Sequence, residues 1–346
     1  MSRKRRNTLE PIDPREALRM YTQSIENDKS QATIYSHKSR LGHFIRWCDE
    51  EHIDNLNDVT GRDLHRYRLW RRNEGDINKV TEKTQMDTLR VFIRYCESID
   101  AVPVDLSEKV ISPTLGKGDN ERDVMLDADV AERILDWLSK YRYASNEHVA
   151  LTLMWRCLFR RGAVRAVDAS GCDADELLLR VRHQPETDTP LKNKSDGERY
   201  VALRESTARL LTDYLDSPDR WDVEDPYGRE PLVTTRYGRP HAMTIASWTY
   251  GVTRPCVTTG ECPHGRDVDE CEAAQRRQDA SKCPSSVSPH AVRRGAITHW
   301  LSNDVPTPAV SSRANVDPAV IDKHYDERSE KQRAQQRRKY LNLFDE

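Results

Sequence analysis

SPHAVRRGAITHWL, residues 288–301, sets a histidine and an arginine three positions apart at the head of a patterned stretch. Residues i and i+3 share a helical face, so His290 and Arg293 point the same way, with Ile297 and Leu301 continuing below them as a core-facing stripe. Downstream, VDPAVIDKHYD (316–326) opens with Asp317 as a helix cap and Pro318 at the first helical position. That start predicts Tyr325 about two turns into a short helix. Upstream, SNEHVALTLMWRCLF (145–159) is apolar nearly all round, as a buried helix is, and Arg160 follows it directly.

Between these pieces the pattern changes period. ELLLRVRH (176–183) alternates Leu177, Leu179 and Val181 against Arg180 and Arg182 and reads as a strand. RYVAL (199–203) reads as its partner, with SDG (195–197) as the turn signal. Lys192 and Lys194 are then expected on one face of a strand entering this hairpin. PLVTTRYGRP (231–240) is expected to be another short strand and turn.

The first hundred residues have helical spacing. TIYSHKSRLGHFIRWCDEE (33–51) repeats Ile34, Leu41, Phe44, Ile45 and Cys48. TQMDTLRVFIRYCESI (84–99) repeats Met86, Leu89, Phe92, Ile93 and Cys96. TGRDLHRYRLWRRNEG (60–75) lies between them, with Thr60 as cap and Gly75 near the end. Lys38, Arg40, Arg46, Arg68, Arg90 and Arg94 give this bundle basic faces. Residues 101–125 hold two prolines and two glycines without a period, a linker signature. The expected division is an N-terminal helical domain over 1–115, a linker over 116–125, and a second domain over 126–346 that starts with an Asp127-capped helix. Its Cys-rich insertion spans 256–283.

A chain of 346 residues fits two domains at roughly 100–200 residues each. Hydrophobic residues make up 36% and charged residues 32%, so the chain can fold but is very polar. No apolar run is long enough to span a bilayer, and MSRKRRN is not followed by the apolar core of a secretion signal; no membrane partner and a cytoplasmic setting are expected. The formal net charge of −2 conceals 55 basic residues against 57 acidic ones, which leaves a nucleic-acid partner open. The acid-rich, aliphatic-poor balance also suits a salty cytosol. No glycine-rich phosphate loop is present.

The ordered set Arg160, Lys192 or Lys194, His290-x-x-Arg293 and Tyr325 resembles the tyrosine recombinases, also called phage integrases, over nearly the whole chain. RHQPETDTPLKNKSDGERYVAL (182–203) and SKCPSSVSPHAVRRG (281–295) look like the integrases of haloarchaea and their viruses and plasmids. The resemblance implies a mainly α fold with a small antiparallel β-sheet. It also implies an N-terminal helical core-binding (SAM-like) domain, a recombinase catalytic domain, and two domains forming a C-shaped clamp on double-stranded DNA. It implies that Tyr325 attacks a phosphodiester and holds DNA as a 3′-phosphotyrosine. Arg160 and Arg293 would clamp the phosphate, His290 would act as acid and base, and Lys192 or Lys194 as general acid. The distance to Arg199 favours Lys194; the Lys192-Asn193 wording favours Lys192, which is slightly preferred. The family's Thr-Gly-x-Arg box is Cys157-Leu158-Phe159-Arg160 here. Ala163 replaces its acidic residue, Arg294 its second histidine of the helix, and Asn315 stands where His or Trp is usual; an asparagine can bond a phosphate oxygen but carries no proton.

The chemistry asks for these residue types on its own terms. Arginines fork onto non-bridging oxygens and stay protonated, stabilising the charge of a pentavalent transition state. A tyrosine needs cationic neighbours and a base to attack. Histidine titrates where it can take or give that proton, and a lysine can protonate the departing 5′ oxygen. No nucleotide and no catalytic metal are required. Of eight cysteines, Cys256, Cys262, Cys271 and Cys283 fall in the insertion with His264 nearby. In a reducing setting they predict a structural zinc site with His264 as alternate ligand, against a reading as buried thiols or a redox pair. RKRR (3–6) is expected to trail along the DNA backbone, and EKQRAQQRRKYLNLF (330–344) to be a helix docking on a neighbour in a synaptic homotetramer. The rival readings are a type IB topoisomerase-like activity and a DNA-binding regulator without catalysis.

Overall fold

The computed structural model describes residues 9–116, 119, 124–325, 331, 334, 335 and 338. The chain divides into two compact units, Met1–Arg122 and Asp123–Glu346. RKRR lies outside the described residues, as does most of 330–344.

The first unit contains four α-helices among its described residues: α1 Pro14–Ser24, α2 Gln31–Glu50, α3 Gly61–Gly75 and α4 Lys79–Ser98. Each starts where a side chain satisfies orphan backbone N–H groups. The Asp13 carboxylate accepts from Arg15 N at 2.7 Å, and Pro14 follows it. Thr60 and Asp63 form a reciprocal capping box. All the apolar positions read from α2 and α4 are buried, around a T-shaped Phe44–Tyr67 pair with centroids 5.2 Å apart. Helix α1 has no counterpart in the sequence reading; it buries only Ala17 and Tyr21 as strongly apolar anchors, too few for a period.

The linker reading is corrected for its first ten residues. Ala101, Val102, Leu106 and Val110 are buried in the first unit's core, and a 3₁₀ turn covers Leu106–Lys109. Irregular backbone lets these apolar residues pack without any period. The basic faces are also partly structural. Arg46 pairs with Glu74 at 2.8 Å, Arg68 with Glu82 at 2.5 Å, and Arg90 donates to Val110 O at 2.6 Å. Lys38 and Arg94 remain exposed.

Among its described residues the second unit has ten short helices, with α6 at the centre of its core: α5 Ala128–Tyr141, α6 Asn146–Arg156, α7 Arg161–Ala166, α8 Glu205–Leu215, α9 Ala242–Val252, α10 Pro255–Thr259, α11 Glu272–Gln275, α12 Pro289–Ser302, α13 Thr307–Ala314 and α14 Pro318–His324. Every residue of α6 from Glu147 to Trp155 is buried. Asp127 stands at the start of α5 without a side-chain capping bond. A three-stranded antiparallel sheet, β1 Cys172–Asp173, β2 Leu178–Val181 and β3 Arg199–Ala202, has the order β1-β2-β3. Leu179 opposes Val201 and Val181 opposes Arg199. Leu179, Val181 and Val201 are buried, whereas Arg180 and Tyr200 stack outward with the guanidinium 5.6 Å from the ring. This is the mainly α, small antiparallel β architecture that the period changes implied.

Two strand expectations are corrected. The 231–240 segment forms isolated bridges at Asp168–Pro231 and Thr235–Gly238 rather than a strand. Lys192 and Lys194 lie on no strand: 183–198 is an irregular connection, with Lys194 in the left-handed region (φ 52°) at the start of a 3₁₀ turn to Gly197. The hairpin ladder ends at Val181–Arg199, so the lysines fall in the loop beyond it.

Helix α12 depends on one glycine. A Cβ on Gly295 would lie 2.0 Å from Leu126 O, because the segment before α5 runs against α12, with Leu126 N donating to Ala291 O at 3.1 Å. Only glycine admits that approach.

Candidate active site

The decisive residues all belong to the second unit. Helix α12 starts at the Ser288 cap, whose hydroxyl accepts from Ala291 N at 3.3 Å. Its first turns carry His290 and, one turn on, Arg293. Arg293 is 1% exposed, among the largest fully buried side chains of the chain. It donates from Nη1 to Leu158 O and from Nη2 to Ala314 O at 2.6 Å, and Tyr325 lies within its electrostatic reach. Its Nε has no partner among the described residues.

Leu158 lies in the turn between α6 and Arg160. It holds φ 56°, the left-handed region that favours glycine, and its burial in the core keeps it there. The turn delivers Arg160 to the start of α7, where its Nη1 donates to Asn315 O at 2.9 Å. Asn315 is itself left-handed (φ 50°) at the end of α13. Its amide donates to Asp196 O at 2.7 Å, and its Oδ1 accepts from Asn193 at 2.6 Å. The amide therefore ties the lysine-bearing loop to the α13–α14 turn.

Asp317 caps α14 through Ala319 N at 2.8 Å, with Pro318 at its first position. Tyr325 falls just past the last helical residue instead of within the helix, with Tyr325 N still bonded to Ile321 O at 2.9 Å. It is 7% exposed, and its carbonyl accepts from Thr298 Oγ1 of α12 at 3.0 Å. The His290 and Tyr325 rings meet edge to face, with centroids 6.5 Å apart. Thus Arg160, His290, Arg293 and Tyr325 come together from three separate stretches.

The electrostatics are one-sided. Burial pushes Arg293 down to about 9, and Arg160 pushes in the same direction. Burial and then Arg160 push Arg199 down to about 10, and burial lowers Arg160. Among the described residues no carboxylate pairs with any of the three. His290 is lowered by partial burial and then by Arg293, Lys192, Arg294 and Arg160. Its imidazole is therefore neutral at neutral pH and free to accept a proton. Lys192 acts on His290 from the irregular loop; Lys194 does not figure among the groups that do.

Sequence reasoning passed over Arg199 as a site residue. Its signal was legible: Arg199, Val201 and Leu203 share one strand face, and Val201 and Leu203 are buried, which places a charge on the core side.

Of the four insertion cysteines, Cys283 is buried and Cys256, Cys262 and Cys271 are half-buried. Among the described residues no group of three or more His, Cys, Asp or Glu could hold a metal ion. Cys256 lies within electrostatic reach of Cys262 and Cys283. Cys271 instead heads α11: burial pushes its thiol up, but the Ala274 and Ala273 N–H groups and Arg266 outweigh this and leave it lowered. His264 bonds Ser285 at 3.0 Å. At the base of the insertion Val287 N donates to Thr253 Oγ1 at 3.0 Å, immediately before α12.

No family model matches the chain. Tyrosine recombinase XerC of Chlamydia caviae is 25% identical over 226 residues, 65% of this chain and 60% of that protein. Tyrosine recombinase XerD of Bifidobacterium longum is 23% identical over 195 residues, 56% of this chain and 59% of that protein. The chain thus spans about 60% of the length of these curated relatives. Among solved structures, the Tn1549 transposon integrase in complex with a circular intermediate DNA superposes with a TM-score of 0.65 at 13% identity, covering 93% of this chain and 98% of that one. A lambda integrase tetramer bound to a Holliday junction gives 0.63 at 12%, covering 93% and 80%. The fold is that of the tyrosine recombinases and integrases, and the sequence likeness supports the same family. No helix among the described residues is long and apolar enough to cross a membrane.

Proposed function

We propose that the protein is a site-specific DNA recombinase that cuts and rejoins duplex DNA through a 3′-phosphotyrosine, and that it serves integration or excision of a mobile element. One observation carries the reading: Arg160, Arg199 and Arg293 are buried or half-buried together beside a tyrosine hydroxyl, with no carboxylate partner among the described residues. Buried charge without a counter-charge is costly. An anionic phosphate inserted at this point would satisfy the Arg293 Nε and offset the mutual repulsion.

The step balances within these residues. The Tyr325 oxygen forms a bond to phosphorus as the bond to the 5′ oxygen breaks. The neutral His290 imidazole takes the phenolic proton, and a proton from Lys192 goes to the departing 5′ oxygen. The reverse attack by a 5′ hydroxyl rejoins a strand, so bond energy is conserved in the ester and no nucleotide enters. Asn315 holds the α13–α14 turn in place beneath the phosphate. The relatives named above are recombinases, and the integrase structures include DNA complexes, one of them a tetramer on a junction; a homotetramer on paired duplexes is the working assembly inferred here. The likeness of residues 182–203 and 281–295 to haloarchaeal integrases is the ground for placing the protein with them.

The test is covalent capture. Duplexes selected by the protein from a randomised pool are incubated with it, and protease-sensitive protein–DNA adducts are mapped. An adduct at Tyr325, lost in Tyr325→Phe, is expected; its yield should fall as acid protonates His290, at a pH below the ordinary imidazole value of about 6.5. A wild-type protein that binds its selected duplex without forming any adduct overturns the reading.

A further inference from the structure

We propose that Arg199 is a positioning residue for strand cleavage: it clamps the loop carrying Lys192 onto the α13–α14 turn, and so holds the proton donor at the departing 5′ oxygen. This rests on the phosphotyrosine reading above.

The geometry of Arg199 is specific. Its Nη1 donates to Gly197 O at 2.9 Å, the last residue of the turn that starts at Lys194, two positions after Lys192. Its Nε donates to Arg313 O in α13 at 3.0 Å. Its guanidinium lies 5.2 Å over the Phe159 ring, next to Arg160. One planar group therefore touches the lysine loop, the approach to Tyr325 and the Arg160 turn. A second tie runs parallel on the outside, through Asn193, Asn315 and Asp196. The loop has no ladder of its own beyond the isolated Gln184–Thr189 bridge; its first half is held by Arg229 on Thr189 at 2.8 Å, and these two ties hold its second half to α13 and its end.

Packing alone does not explain Arg199. Its strand face is shared with Val201 and Leu203, where an aliphatic side chain would pack without a desolvation penalty. Instead the chain keeps a guanidinium there with no ion pair among the described residues, beside two other cations. A lysine would retain the charge but could not offer Nε and Nη1 in one plane to two carbonyls.

The consequence is chemical. Lys192 is exposed on an irregular loop, and a general acid works only within hydrogen-bond reach of its target. If Arg199 acts by placing that acid, its loss should matter only where the leaving group needs a proton.

The experiment compares two versions of one duplex, selected and mapped as above. One has the natural 5′ oxygen at the scissile phosphate; the other has a 5′-bridging sulfur, whose thiolate departs without a proton. Single-turnover adduct formation is measured for wild type, Lys192→Ala, Arg199→Lys and Asn193→Ala. Lys192→Ala is expected to lose about a hundredfold on oxygen, within the usual range for general acid catalysis, and to recover close to wild type on sulfur. Arg199→Lys is expected to follow the same pattern with about a tenfold loss, a fraction of that general-acid contribution. Asn193→Ala, a surface change that cannot unfold the core, should show a smaller loss of the same kind. Equal losses on both substrates would mean that Arg199 serves phosphate binding or folding, and would overturn the proposal. So would no loss on either, or a Lys192→Ala variant that sulfur does not rescue. A wild-type protein that forms no Tyr325 adduct on either duplex would defeat the underlying reading itself, a result distinct from these.

Discussion

Two clusters of arginines are buried in the second unit, and their surroundings differ in one respect. Around Asp168, Arg239 donates at 2.6 Å, Arg229 at 2.8 Å, and Arg182 approaches to 3.8 Å; Arg239 also pairs with Asp225 at 2.7 Å. Burial pushes Asp225 up, but Arg239 and the backbone N–H groups of Arg229 and Tyr227 outweigh it and leave the carboxyl below its ordinary range. Around Tyr325, the guanidiniums of Arg160, Arg199 and Arg293 meet, among the described residues, carbonyls, an aromatic ring and a phenol but no carboxylate. The first cluster is complete by itself and joins the end of α7 to the 225–240 loop. The second has its positive charges in place and lacks the negative one. Buried charge that is paired holds a fold together; buried charge that is unpaired marks where an anion belongs.

Three measurements would break or sharpen that contrast. The largest effect is expected from Arg293→Met, which removes a guanidinium aimed at the transition-state charge. Adduct formation should fall at least about a thousandfold, while stability holds or rises, because a desolvated unpaired charge has been replaced by a side chain that packs. Quench-flow on the selected duplex, beside urea unfolding, reads both; a variant that unfolds but retains its adduct rate would reverse the assignment. Next is Asp168→Ala, which leaves two or three guanidiniums buried without their partner. It should cost about 4 kcal/mol in chemical denaturation, with adduct formation by the remaining folded protein little changed. The smallest effect is ligand stabilisation. Inorganic phosphate at ten times its Kd should add about 1.4 kcal/mol to wild type, seen as a rise of a few degrees in Tm, and nothing to Arg293→Met. Asp168→Ala should keep the response, since the site it leaves intact is the one that takes the anion.

How much of this was legible beforehand differs from residue to residue. His290 and Arg293 could be assigned to one face because their spacing matches the helical repeat, and Asp317-Pro318 marked the start of α14 because a cap and a proline have local mechanisms. The cores of α2 and α4 were legible for the same reason: a repeat of 3.6 is written along the chain. The lysines were placed on a strand because alternation resumes at Arg199, yet nothing local revealed that the ladder stops at Val181. The four insertion cysteines cluster in sequence, but sequence proximity alone does not fix where each thiol lies. A chain can place thiols within thirty residues and still turn one of them to a helix end, as Cys271 is turned.

What the sequence by itself determined is the local part: the helices and their caps, the hairpin, and the ordered presence of an arginine, lysines, a His-x-x-Arg pair and a tyrosine. Each depends on neighbours a few residues away. What only the tertiary structure decided is the contact of residues more than a hundred positions apart. Arg293 reaches Leu158, Arg160 reaches Asn315, and Arg199 spans from the lysine loop to α13. Gly295 becomes indispensable only because Leu126 lies against it. Those contacts are fixed by how the buried faces of α6, α12 and α13 fill space together, and that packing is a property of the folded core as a whole, with no periodic trace in the sequence.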